Sequence, residues 1–192
     1  MPRIPASALL TTTRRVRRMP AVGPMAVIAV MAAVLGCQAP ESSASLGVVP
    51  DGVTVFDDAV PGVANLDPDL LKALRQAAMV AADDGVEFYV NSGWRSPEYQ
   101  DQLLRRAVAE YGSKEEAARW VATATTSPHV SGEAADIGRS AAAAWLSEHG
   151  AAYGLCQTYE NEPWHYELRT EAATSGCPQM YADPTHDPRM QQ

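Results

Sequence analysis

Two histidines, one aspartate and a spare glutamate stand out among the side chains that can do chemistry. His129 and Asp136 share the stretch Ser127-Pro128-His129-Val130-Ser131-Gly132-Glu133-Ala134-Ala135-Asp136, and His165 closes Glu160-Asn161-Glu162-Pro163-Trp164-His165. A turn followed by a strand can bring His129 and Asp136 to one point: Gly132 frees the backbone to turn, and small Ala134 and Ala135 allow close packing around a ligand. His165 would join them from a neighbouring strand. Two neutral imidazoles and one carboxylate suit Zn²⁺ and leave a fourth position open, the pattern of a catalytic site; a structural zinc would use cysteines. Glu162, three residues before His165, can stand beside the metal without ligating it. It is then placed as a general base that takes a proton from the attacking water, whose pKa a metal lowers toward about 7, and hands it to the departing amine. Arg95 is a fixed cation that could stabilise the oxyanion of a tetrahedral intermediate. Taken singly, each residue has a bland reading as a core histidine, a solvated acidic turn or an arginine stacked on its neighbour. Their conjunction points to a metallohydrolase.

Hydrophobic period and cap chemistry indicate the elements that must position these residues. Asp67-Pro68 reads as an N-cap with proline at the first helical position, and Leu70, Leu71, Leu74, Ala77, Ala78 and Ala81 recur at helical spacing until Asp84-Gly85 stops them. Val53–Phe56 predicts a short strand; Val86–Val90 predicts another, followed by a turn over Asn91–Arg95 that puts Arg95 near a strand end. Ser96-Pro97 caps a second helix through about Tyr111, and the capping box Ser113–Glu116 opens a third containing Ala117, Trp120 and Val121. Residues 123–132 carry too many Thr, Ser, Pro and Gly for a regular element. Beyond them, Ala134–Ile137 reads as a short buried strand, Ser140–His149 as a helix closed by Gly150, and Tyr153–Thr158 and Trp164–Leu168 as two more strands. Helices come mostly first and strands late, without βαβ alternation. That predicts an α+β fold: a small antiparallel sheet carrying the zinc site, with helices packed mainly from the N-terminal half.

The N-terminal residues have a different character. Arg3, Arg14, Arg15, Arg17 and Arg18 precede the 16-residue apolar run Ala21–Gly36, interrupted by Gly23 and Pro24 and followed by Cys37. This is the layout of an export signal over residues 1–36, and the run is short of the roughly 20 residues a spanning helix needs. Val34-Leu35-Gly36-Cys37 resembles a bacterial lipobox, which would make Cys37 the lipidated first residue of the mature chain; Arg14-Arg15 leaves the twin-arginine route open as well. Residues 37–52 then form the lipidated cysteine and a flexible tether, and 53–192 the domain. Three cysteines are an odd number for an exported chain. Lipidation of Cys37 leaves Cys156 and Cys177 to form a disulfide outside the cytoplasm. Without residues 1–36 the chain keeps ten basic residues against 23 acidic ones, a net charge of −13. So acidic a surface repels phosphate backbones and excludes nucleic acid as a partner. His149, in the last turn of a helix, is accounted for by the helix dipole, and His186 sits in a Pro- and Asp-rich tail as a solvated loop residue.

Ser127-x-His129-x-x-Gly132-x-Ala134-x-Asp136 and Glu162-Pro163-Trp164-His165 resemble the two signature segments of the zinc D-alanyl-D-alanine carboxypeptidases of the VanY type, relatives of the VanX dipeptidase, phage endolysin peptidases and the hedgehog signalling domain. Ser92-Gly93-Trp94-Arg95-Ser96 is similar to the family's Ser-Gly-Tyr-Arg-Ser segment, and Trp145-Leu146 with Tyr153-Gly154-Leu155 resembles its helix-to-strand junction. The likeness covers about residues 65–170. It implies that His129, Asp136 and His165 hold one zinc per chain, Glu162 is the catalytic base, Arg95 steadies the transition state, and Ser127 and Gln100 touch substrate. Pro128 and the Cys156/Cys177 pair are not carried by the resemblance.

The function this implies is a monomeric extracytoplasmic lipoprotein of the bacterial cell membrane, facing the wall and hydrolysing the terminal D-Ala-D-Ala bond of peptidoglycan stem peptides. An endopeptidase or D,D-dipeptidase would use the same zinc chemistry, and a zinc-containing envelope binding module without catalysis is the alternative of another class. Such a module would be free to lose Glu162 or Arg95, and both are present. Anchoring is checked by metabolic labelling with a clickable fatty acid. The wild-type chain should take up label and a Cys37→Ser variant should not; an unlabelled wild-type chain in the membrane fraction would overturn the lipobox reading.

Overall fold

The computed structural model describes residues 43–138 and 140–191. The export signal, Cys37 and the first part of the expected tether lie outside the described residues. Among the described residues no helix is long and apolar enough to cross a membrane.

One helical turn, α1 (Pro61–Ala64), precedes the long helix α2 (Pro68–Asp83), which starts where the cap chemistry places it: the Asp67 carboxylate accepts the N–H groups of Asp69 and Leu70. Its inner face buries Leu70, Ala73, Leu74, Ala77, Ala78 and Ala81. Strand β1 (Tyr89–Ser92), helix α3 (Pro97–Tyr111) and the single turn α4 (Lys114–Ala117) follow. After a long irregular stretch come β2 (Ala134–Gly138), α5 (Ser140–His149), β3 (Leu155–Gln157), β4 (His165–Leu168) and the turn α6 (Ala172–Ser175). The four strands form one antiparallel sheet in the order β1-β2-β4-β3. The α+β expectation is met.

The sheet has two unlike faces, because successive side chains of a strand point in opposite directions. Ala135 and Ile137 of β2 and Tyr166 of β4 belong to the apolar core with Leu70, Leu74, Phe88 and Leu146. Burying each of the large side chains contributes about 1.5–3 kcal/mol relative to leaving it in water. Asp136 and His165, which alternate with these, therefore face the other way, and they stand directly opposite each other in the β2–β4 ladder. Register alone brings two of the three candidate ligands together.

Several expectations are corrected. Val53–Phe56 is not a strand: Thr54 makes one isolated bridge to Tyr89, and Asp57 accepts the Thr54 N–H at 2.6 Å, turning the chain away after Val53 and Val55 have been buried. The strand expected from Val86 begins only at Tyr89, since the Val86 N–H is bonded to Ala81 O at 2.9 Å in closing α2. The third helix stops at Ala117; the Trp120 and Val121 N–H groups turn back to Ala117 O, and Trp120 stacks on Tyr111 at 5.9 Å between ring centroids. Gly150 does not end α5 cleanly but starts a 3₁₀ turn to Tyr153, so β3 is three residues long and begins after Gly154, in the left-handed region at φ 76°. Of the tether expected over 37–52, the described residues 43–49 lie against the domain. Ser43–Gly47 forms a turn on the domain, the Ser96 N–H donates to Leu46 O at 3.0 Å, and Val49 packs against the core. The apolar residues Leu46, Val48 and Val49 have no helical period, yet burial still favours docking them.

The C-terminal residues, expected as loop, wrap back along the sheet. Cys177 is joined to Cys156 of β3, as the cysteine count implied, and Tyr181 exchanges backbone hydrogen bonds with Thr158 and Glu160. Two 3₁₀ turns, Pro184–His186 and Pro188–Gln191, complete the tail, with His186 at its exposed edge. A bridge spanning 21 positions restricts the unfolded chain, so Cys177→Ser should lower stability by roughly 2–4 kcal/mol. Urea unfolding of both forms checks this; equal midpoints would show that the bridge contributes nothing.

Candidate metal centre

His129 is delivered by the irregular stretch before β2. Gly132 lies at φ +81°, its carbonyl accepts the Asp67 N–H at 2.9 Å, and a Cβ there would sit 2.6 Å from Asn65 O. Only glycine fits so close a left-handed turn against the start of α2. The turn folds His129 under the β1–α3 connection, where its Nδ1 lies 2.8 Å from Gly93 O. A carbonyl only accepts, so Nδ1 carries the hydrogen and Nε2 keeps a lone pair facing inward.

At the centre, Asp136 Oδ1 lies 3.4 Å from His129 Nε2 and 3.2 Å from His165 Nδ1. The three donor atoms fall within 4.8 Å of one another, and all three residues are buried. A tetrahedral ion with bonds of about 2.0–2.1 Å holds its ligand atoms about 3.3 Å apart, so the site has the dimensions of such an ion. The second nitrogen of His165 is also accounted for: Nε2 stands 3.3 Å from Glu167 Oε1, which fixes the ring and leaves Nδ1 for the metal. Burial works to lower the His165 pKa, yet hydrogen bonds to Asp136 and Glu167 raise it to about 9. Burial likewise works to raise Asp136, but His129, His165 and Arg95 outweigh it and hold the carboxylate well below its usual range. Negative charge converges where a cation is wanted, while His129 is pushed down by burial and by Arg95, toward the neutral form a ligand needs.

Glu162 reaches the same point from the β3–β4 connection, with Oε2 3.7 Å from His165 Nδ1. Burial first, and then the nearby Asp136 charge, push its carboxyl up to about 7 against the opposing pull of His165 and Arg95. A carboxyl poised near neutrality can both take and return a proton. The site opens into a cleft of about 370 Å³ whose walls include Ser127, Tyr111, Trp120 and Trp164.

Arg95 is held on three sides: Nε donates to Ser92 Oγ at 2.8 Å, Nη1 to Gln100 Oε1 at 3.2 Å and Nη2 to Asp136 Oδ2 at 2.9 Å. Its charge therefore lies beside the metal ligand and at the cleft wall together. Gln100, expected to touch substrate, lines the cleft but is 1% exposed; its amide nitrogen donates to Ala122 O at 2.9 Å and its amide oxygen accepts from Arg95. Ser127 lines the cleft. The motif reading passed over Glu167, although its place two residues after His165 on one strand face was a usable signal. Arg189, which pairs with Glu167, carries no signal in the sequence.

Comparison with known proteins agrees with this geometry. The family model VanY, D-alanyl-D-alanine carboxypeptidase, matches residues 63–171. A D-alanyl-D-alanine carboxypeptidase of Enterococcus faecalis is 35% identical over 120 residues, which is 49% of this chain and 45% of that protein, so the chain spans less than half of this relative's length. Among solved structures, VanYB in complex with D-alanine-D-alanine aligns with a TM-score of 0.53 and 32% identity over 57% of this chain and 75% of its own. A mutant of the vancomycin-resistance D,D-pentapeptidase VanY in complex with Zn(II) gives the same score and identity over 57% and 76%. The fold alone is shared with the L,D-carboxypeptidase LdcB, at 23% identity and a TM-score of 0.53. Because the family model spans more than half of the chain and encloses Arg95, His129, Asp136, Glu162 and His165, the chain belongs to the VanY family of D-alanyl-D-alanine carboxypeptidases.

Proposed function

We propose that this protein is a zinc peptidase of the cell envelope that removes the terminal D-alanine from peptidoglycan stem peptides. The observation that carries the reading is the convergence of His129 Nε2, Asp136 Oδ1 and His165 Nδ1 at ion-binding distances, with the Glu162 carboxyl beside them at the floor of a cleft. Zinc, when bound by these three atoms, supplies a Lewis acid that polarises the scissile carbonyl and makes water a stronger acid. Glu162 accepts the proton of the attacking water and returns it to the leaving amine. Arg95, locked by Ser92 and Gln100, keeps Asp136 aimed at the ion and sets a permanent positive charge where the carbonyl oxygen becomes negative. The Ser127 hydroxyl, on the cleft wall, is placed to meet the substrate backbone. The choice of a D-Ala-D-Ala terminus is supported by the dipeptide bound in VanYB. Placement outside the cytoplasm, on a lipid anchor at Cys37, is supported by the arginine-rich and apolar N-terminal residues.

Metal analysis tests the ligands. The full-length chain should carry about one zinc; His129→Ala and His165→Ala should each lose it, and full retention in both would overturn the assignment. Glu162→Gln should keep its zinc while turnover falls by at least ~10²-fold, the loss expected for a general base.

The reaction itself is read by mass on a soluble pentapeptide muropeptide. Release of single D-alanine supports the carboxypeptidase. Release of D-Ala-D-Ala as a dipeptide, or cleavage only of cross-linked dimers, would replace it with the dipeptidase or the endopeptidase.

A further inference from the structure

The wall behind His165 is completed by a part of the chain that the family match does not reach. Glu167 lies on the same face of β4 as His165 and is 2% exposed. A carboxylate so buried needs a partner. Arg189, in the last 3₁₀ turn, supplies it with a fork: Nη1 donates to Glu167 Oε2 at 2.7 Å and Nη2 to Oε1 at 3.1 Å. Arg169 adds a further donor at 2.8 Å. Arg189 is itself held by Asp187, whose two oxygens accept from its Nε at 3.1 and 3.0 Å. Asp187 also accepts the Tyr159 hydroxyl at 3.0 Å, and the Tyr159 ring lies against the His165 ring with centroids 5.1 Å apart. The tail thus reaches this imidazole twice, at its Nε2 edge through Glu167 and at its face through Tyr159.

The start of the tail is tied to the same place. Cys177 is bridged to Cys156, and Cys156 stands directly opposite Glu167 in the β3–β4 ladder. Between the two ends, Tyr181 pairs with the β3–β4 connection and Asp183 accepts Arg119 Nε at 3.0 Å. Simple docking of a terminus would require neither a bidentate arginine on a buried acid nor a covalent tie across from it.

We propose that residues 177–191 are a positioning arm of the metal centre, in which Arg189 sets the Glu167 carboxylate and thereby holds His165 with Nε2 donating to Glu167 and Nδ1 turned to the ion. The arm rests on the zinc reading above. Carboxylates behind ligating histidines fix ring orientation, and their loss costs metal affinity. The planar fork matters: an ammonium at position 189 could neutralise Glu167 but could not fix both of its oxygens.

Zinc affinity of the full-length chain, read by competition with a chromophoric chelator, is the test. Arg189→Ala should weaken binding by about 10–100-fold, the usual cost of losing a partner behind a ligand. Arg189→Lys should fall between the two, and it carries the test should Arg189→Ala fail to fold. The Co²⁺-loaded Arg189 variants should show altered d–d absorption, which a merely looser tail would leave unchanged. Arg119→Ala, which removes the Arg119–Asp183 pair but leaves Arg189 on Glu167, should bind zinc as wild type does. In a Glu167→Gln background, Arg189→Ala should add little, because the two act as one unit. Wild-type affinity in both Arg189 variants would overturn the arm, as would an equal loss in Arg119→Ala. A wild-type chain that takes up no zinc would overturn the metal reading beneath it, and is distinguishable because it needs no variant.

Discussion

The carboxylate of Asp136 is the constraint around which the rest is arranged. It sits in the middle of β2, whose five residues are all buried, and its neighbours hold it well below the usual carboxylate range there. Withdrawing a carboxylate from water costs several kcal/mol unless positive or donating groups surround it. Oδ1 faces the two imidazoles and Oδ2 faces Arg95. To supply these partners the chain brings in the β1–α3 connection for Arg95, the Gly132 turn for His129 and the neighbouring strand for His165. The irregular stretch before β2, which has no regular structure to recommend it, is fixed by this demand.

Two carboxylates therefore bracket His165, one on each ring nitrogen, and they play different parts. Asp136 shares the ion-binding point with the imidazole, whereas Glu167 lies behind it and is neutralised by Arg169, next to β4, and by Arg189 of the last 3₁₀ turn. The small side chain of Ala134, directly across the β2–β4 ladder from Glu167, leaves room for that arrangement. A strand face that would otherwise be apolar becomes a row of paired charges, and the opposite face remains hydrocarbon.

The parts of this structure legible in the sequence are those set by local rules. Helix α2 followed from Asp67-Pro68 and a clean apolar period, β2 from a short buried run, and the ligand trio from side chains whose types have few other reasons to recur together. What escaped was set by distant partners. The sound capping box before it predicts a helical Trp120, but its ring stacks on Tyr111 and the helix ends at Ala117. Leu46 and Val49 lie in a stretch whose Ser and Pro content suggests a tether, yet the Ser96 N–H binds the Leu46 carbonyl and Val49 packs on Gly62 and the core. The hydrogen bond from Arg95 to Gln100, which ties the motif glutamine to the arginine, is visible only in the fold. Arg189 reaches Glu167 across 22 positions, a pairing no local pattern encodes.

The ligands come from two separate stretches of chain, and only the turn at Gly132 and the Asp136–His165 register collect them. An unfolded chain scatters them and binds an ion feebly, so occupancy of the site and integrity of the fold are linked by mass action. An ion present at a hundred times its dissociation constant adds about 2.7 kcal/mol to the folded state, a sizeable share of what holds an ordinary domain together. The robustness of this domain is thus partly a property of the fluid around it: in a medium depleted of the ion the same covalent chain is a weaker object, more open to proteolysis and to heat.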